Sequence, residues 1–272
     1  MRESAPMSSV STDSPVHVRF SLLIAAALAW AMAARATTVI VLRSADGTAL
    51  SVAADSMRTV IGVPGAAPLS ACKITRISPS LWVALAGIND PENNYYPDQI
   101  ALGAGLLHRD NLDAIVEAFR ERASELLPLV MERIRAGVGK EAWEKDYEGW
   151  PATQVAFFGL VNHRPVFRLM DLIARTTCAG ISIYARSDRC PGKCVPRGTL
   201  AAGIGSTAAV SRFPPPLNYT GDLDAAARWL VSKEIELSPD CGCGPPIVVL
   251  HLDAAGARWV GDPGMCGQGP RN

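Results

Sequence analysis

The sequence predicts an α+β fold in which two antiparallel sheets pack on each other with helices outside. Three observations predict it. β-branched and apolar runs collect near the start of the chain and again in its second half, a long stretch of helical periodicity separates the two groups, and turn residues join neighbouring runs. Segregated strands and helices argue for layers rather than for a parallel, doubly wound sheet.

Taken in order, residues 1–36 read as a leader. Arg2 and Arg19 precede the apolar stretch "FSLLIAAALAWAM" at 20–32, and Ala34-Arg35-Ala36 has the small-x-small pattern of a signal-peptidase site. The stretch is short for a membrane span, which needs about 20 apolar residues. Cleaved export to a periplasmic or extracellular space is the reading taken. An uncleaved segment anchoring the chain to a membrane is the alternative. "TTVIVLRS" and "TALSVAAD" follow as strands joined by the hairpin signal Asp46-Gly47. "KITRI" and "LWVALAG" form a second pair divided by Ser78-Pro79-Ser80. In 111–139, Ile115, Val116, Phe119, Leu126, Leu127, Val130 and Ile134 recur at helical steps; Pro128 should kink or split this helix and Gly137 can end it. After the polar stretch 140–147, "TQVAFFGLV", "PVFRLMDL" and "CAGISIYA" read as strands, the first two separated by Asn162-His163-Arg164. "GTLAAGIGS", the amphipathic helix "DLDAAARWLVSKEIEL" and the strands "IVVLHLD" and "ARWVG" complete the chain.

Removing 36 of the 272 residues leaves 236, enough for one well-buried domain over 37–272. Lys and Arg number 26, as do Asp and Glu, so the balanced chain carries no electrostatic footprint for nucleic acid or anionic lipid. Seven cysteines, at 72, 178, 190, 194, 241, 243 and 266, favour an oxidising compartment. Cys190 and Cys194 bracket a Pro-Gly-Lys turn short enough to bring them within disulfide range. A zinc site at these cysteines would lack both the usual two-residue spacing and accompanying histidines, and His17, His108, His163 and His251 form no motif.

Cleavage after Ala36 would leave Thr37 as the first residue, and an N-terminal threonine can act as a nucleophile with its own α-amine as base. "TTVIVLRSADGTALSVAADS", followed by "KITRISPSLWVALAG", resembles the start of a proteasome β-type subunit. That family of N-terminal nucleophile (Ntn) hydrolases includes the bacterial two-component ATP-dependent protease core. The resemblance rests on Thr37, Ala53-Ala54-Asp55, Lys73 and Ala86-Gly87 in order, and resumes at "DCGCGPP", where Asp240 stands for the family aspartate and Cys243 replaces the usual serine. It implies a four-layer αββα sandwich and a threonine-type peptidase or amidohydrolase with no cofactor or metal. A homo-oligomeric ring is a further implication, and a peptide or amide is the implied substrate. No nucleic acid, and no membrane span after cleavage, is expected.

The resemblance further implies the roles. Lys73, kept charged by Asp55, would lower the pKa of the Thr37 hydroxyl and amine. The Gly87 N–H would face the oxyanion, and Asp240 and Cys243 would orient the nucleophile. Leu85 would line the pocket for the side chain before the cut bond, with Arg58 and Asn89 at its border, preferring leucine-like or aromatic groups. Ile204 stands where a supporting serine is usual, with Ser206 nearby. Each residue also has an ordinary reading: Thr37 a strand opener, Asp55 and Lys73 a structural ion pair, Gly87 and Asp240 turn formers, Cys241 and Cys243 disulfide partners. A non-catalytic structural or binding subunit and a small-molecule amidase remain as alternatives.

Overall fold

A computed structural model describes residues 37–58, 69–188, 198–239 and 242–267. The leader, the expected Cys190–Cys194 pair, and Asp240 and Cys241 lie outside the described residues.

Strands β1 (Thr38–Arg43) and β2 (Leu50–Asp55) are buried along their whole length. Their near-continuous apolar runs, rather than a polar–apolar alternation, reflect a sheet covered on both faces. In the hairpin between them Gly47 takes φ +74°, while Asp46 Oδ1 accepts from Ser44 Oγ and from the backbone and hydroxyl of Thr48. Short β3 (Met57–Arg58) and β4 (Leu69–Ser70) pair with each other. The chain then enters a second sheet through β5 (Ile74–Arg76) and β6 (Leu81–Gly87).

Helices α1 (Pro97–His108), α2 (Leu112–Val138) and α3 (Lys140–Asp146) follow, all within the connection from β6 to its neighbour β7 (Pro151–Val161). A tight turn links β7 to β8 (Arg164–Thr177), with Asn162 and His163 both at positive φ as the twist of a two-residue hairpin requires. After β9 (Gly180–Asp188), strand β10 (Leu200–Gly205), helices α4 (Ala208–Arg212) and α5 (Leu223–Leu237), and strands β11 (Ile247–Asp253) and β12 (Gly256–Trp259) return to the first sheet. Its order is β10-β1-β2-β11-β12, and that of the second is β5-β6-β7-β8-β9; every pairing is antiparallel.

Three apolar clusters hold these parts together. Val39, Val41 and Val52 of the first sheet meet Trp82, Ala84 and Phe158 of the second. On the outer face of the first sheet Ile40, Leu42 and Val249 pack under Leu230 and Val231 of α5. On the outer face of the second, Val155 and Phe157 pack under Phe119, Leu127 and Met131 of α2. The two-residue alternation of β1 therefore sends Val39 and Val41 inward and Ile40 and Leu42 toward α5.

Helix α2 runs through Pro128 without a break and ends at Val138, with Gly139 (φ +81°) rather than Gly137 as its stop. Buried Ile115, Phe119 and Ala123 before the proline, and Val130, Met131 and Ile134 after it, hold both halves on the sheet, and this packing outweighs the lost backbone bond. The 140–147 stretch, polar in sequence, is mostly helical because Trp143 and Tyr147 stack on each other and are buried. Among the described residues no helix is long and apolar enough to cross a membrane.

Cys72 and Cys266 form a disulfide across a sequence separation of 194 residues, and Cys178 is free and exposed. Closing so long a loop restricts the unfolded chain strongly. Replacing both cysteines by alanine should lower unfolding stability by about 2–5 kcal/mol in denaturant titration, and a loss below about 1 kcal/mol would show that the bridge does not constrain the unfolded chain.

Candidate active site

The C-terminal end of β2 carries Asp55, fully buried. Four groups converge on its carboxylate. Lys73 Nζ reaches both oxygens at 2.8 Å, the Thr38 N–H donates to Oδ1 at 2.8 Å, and the N–H groups of Gly244 and Met57 donate to Oδ2 at 3.2 and 3.3 Å. Lys73, just before β5, is also nearly enclosed, with its side chain 9% exposed. Burial pulls the Lys73 ammonium below its ordinary range, while the Asp55 charge and hydrogen bond oppose that shift. Asp55 thus ties the lysine to the first strand residue, one position from Thr37.

Thr37 is half-buried, and its carbonyl accepts from the Ser206 N–H at 2.9 Å. Gly205 lies directly against that carbonyl: its φ is +77°, and a Cβ there would overlap the Thr37 oxygen. Gly205→Ala should therefore both strain the backbone and push the Thr37 segment aside, costing about 2 kcal/mol or more in stability. Equal melting temperatures for Gly205→Ala and native protein would contradict this packing. The Gly205 N–H donates to Gln154 Oε1 at 2.9 Å, and Gln154 Nε2 in turn donates to Asp171 at 2.9 Å, so a β7 side chain bridges the sheets beside Thr37.

Gly87 also has a structural reason to be glycine. At φ +120°, a Cβ would run into the Ala152 carbonyl of the neighbouring strand. Ile204 is a buried β10 residue paired with Val39, and the Ser206 hydroxyl donates to Glu234. Burial pushes the Glu234 carboxyl up, but hydrogen bonds from Ala209, Ser206 and Ser238 hold it below the ordinary carboxylate range. Cys243 is buried, disulfide-bonded and 3.3 Å from Thr38 Oγ1. A disulfide sulfur carries no proton, so the threonine hydroxyl is the donor.

Leu85 is half-buried and packs on the helical side of the second sheet, and Asn89 is exposed. The backbone of Arg58 pairs with Leu69. Neither Leu85 nor Asn89 lines the cavity beside Thr37, which is bordered by Gly205, Ser206, Ile88 and Ala152 among others. His251 bonds Asp224 through Nδ1 at 2.8 Å and serves the first sheet's helical side. Thr38, Gln154, Gly205 and Gly244 escaped the sequence reading. Of these only Gln154 left a signal, as a polar residue inside the apolar run "PATQVAFFGLV".

Comparison with protein-family models gives no match, and a search of curated proteins gives none.

Proposed function

We propose that the chain is an exported hydrolase of the Ntn type that cleaves a peptide or amide bond through an ester on Thr37, freed by cleavage after Ala36. The observation that carries this reading is the Asp55 carboxylate, buried and shared between Lys73 and the amide of Thr38. An ion pair enclosed at this cost in desolvation is hard to explain as stabilisation alone.

In the proposed reaction Thr37 Oγ1 attacks the substrate carbonyl as its proton passes to the α-amine, directly or through water. The Lys73 ammonium, anchored by Asp55, favours the alkoxide, and the Gly87 N–H is assigned to the oxyanion. Collapse of the tetrahedral intermediate breaks the C–N bond, and the leaving nitrogen takes the proton. Water, deprotonated by the same amine, then hydrolyses the ester and regenerates Thr37. A side chain lying against Leu85 would be leucine-like or aromatic.

A second reading, a non-catalytic member of the same fold, is favoured by one arrangement: Ile204 is buried and the Ser206 hydroxyl is committed to Glu234. Incubating purified exported protein with a threonine-directed electrophile separates the two. The hydrolase reading expects one adduct, mapped to Thr37 by mass spectrometry on a chain beginning there. A Thr37 start with no adduct, and no turnover of peptide or acyl-amide panels, would leave the binding reading in its place.

A further inference from the structure

A cleft of about 360 Å³ opens beside Thr37. Its floor adjoins both positions to which the hydrolase reading assigns chemistry. On one side Gly205 and Ser206 line it, the residues that abut and hold the Thr37 carbonyl. On the other side Ile88 follows Gly87, and Ala152 supplies the carbonyl on which Gly87 packs. A group in this cleft would lie next to the attacked bond.

The lining defines what fits. Met131, Ile88 and Ala152 are buried and apolar, and Tyr147 and Trp150 add aromatic wall. Trp150 is 58% exposed at the cleft. Asp146 is the single charged residue of the lining; it is exposed and makes no ion pair among the described residues. Its charge is felt within the cleft, where it adds to burial in raising the Tyr147 hydroxyl above its ordinary range. An apolar trough ending at an aromatic face and an unpaired carboxylate matches a long aliphatic stem with a cationic head. At this volume, near the low end of ligand clefts, it holds one side chain.

We propose that this cleft receives a basic side chain, lysine- or arginine-like, of the peptide or amide presented to Thr37. The proposal rests on the hydrolase reading for the orientation of the bond, but not for binding itself. It also differs from the leucine-like preference expected at Leu85, which is not among the residues lining this cleft.

Short blocked peptide amides carrying arginine, norleucine or glutamate at one flanking position test it. Binding is read by calorimetry on the exported Thr37→Ala chain, where no turnover interferes, and hydrolysis on the native chain. The arginine peptide should bind at least about tenfold more tightly than the glutamate peptide. Asp146→Asn should weaken the arginine peptide about two- to fivefold and leave norleucine unchanged, whereas Trp150→Ala should weaken both. Both side chains are exposed, so circular dichroism should show an unaltered fold. Equal binding of the three peptides, or no effect of Asp146→Asn on the arginine peptide, overturns the proposal. If the arginine peptide binds as expected but no peptide is ever cleaved, the hydrolase reading fails while the cleft assignment stands. Cleavage with no preference for arginine has the opposite consequence.

Discussion

Exported and processed Thr37→Ala protein is expected to fold normally and, under the proposed mechanism, to hydrolyse substrate at least about 10³-fold more slowly than the native chain, because the reacting oxygen is gone. Folding is expected to survive because the half-buried Thr37 is held through its backbone: the Ser206 N–H bonds the carbonyl, and Gly205 packs against it. Alanine preserves both contacts, so stability should change by about 0.5 kcal/mol or less. A companion form kept in the cytoplasm with an extension before Thr37 should be equally silent. There the nitrogen of Thr37 is an amide and cannot take the hydroxyl proton, whereas a free α-amine, with a pKa near about 7.7–8.0, can. Export would then be the activating step, and the precursor would need no inhibitor. Steady-state hydrolysis and covalent labelling of the three forms decide the matter. If the Thr37→Ala or the extended form cleaves substrate as fast as the native one, the N-terminal nucleophile mechanism is wrong, and the ordered motifs belong to a fold used for binding.

Removing Asp55 should produce the largest loss of stability of any single substitution at the site. Its carboxylate is wholly buried and neutralises Lys73 while accepting the N–H groups of Thr38, Met57 and Gly244. Asp55→Ala leaves a nearly enclosed ammonium without its partner and orphans the buried backbone donors. Loss of one member of such a pair costs about 3–5 kcal/mol, and unsatisfied donors add to it. Asp55→Asn retains a carbonyl for Thr38 and should cost less than alanine, though the charge remains uncompensated. The double variant Asp55→Leu with Lys73→Met removes both charges and should recover a large part of the loss. Chemical denaturation of the native protein, Asp55→Leu, Lys73→Met and the double variant gives the coupling energy. A cost below about 1 kcal/mol for Asp55→Ala would show that the pair is too well hydrated to organise the start of β1.

Much of the architecture was legible in local pattern. The all-buried runs of β1 and β2, the Asp46-Gly47 and Asn162-His163 turns, and the apolar stripe of α2 are properties of neighbouring residues. Steric and solvation preferences act on them whatever the rest of the chain does. The same reasoning failed at Pro128, where packing against the second sheet keeps a helix intact that propensity alone would interrupt. It also failed at 140–147, where two buried aromatics give a polar segment its anchorage.

The sequence by itself determined two strand groups, the helices between and after them, and the candidacy of Thr37, Asp55 and Lys73 as residues whose types suit one chemistry. Which groups meet was decided only by tertiary structure. Asp55 reaches Lys73 18 residues away and Gly244 189 residues away, and Cys72 meets Cys266 across 194. No local preference encodes such distances. They follow from two sheets burying their apolar faces together, which brings the ends of β2, β6 and β10 and the chain before β5 to one edge. That edge also opens the cleft between Gly205 and Trp150, whose lining comes from two strands, two helices and the loops beside them.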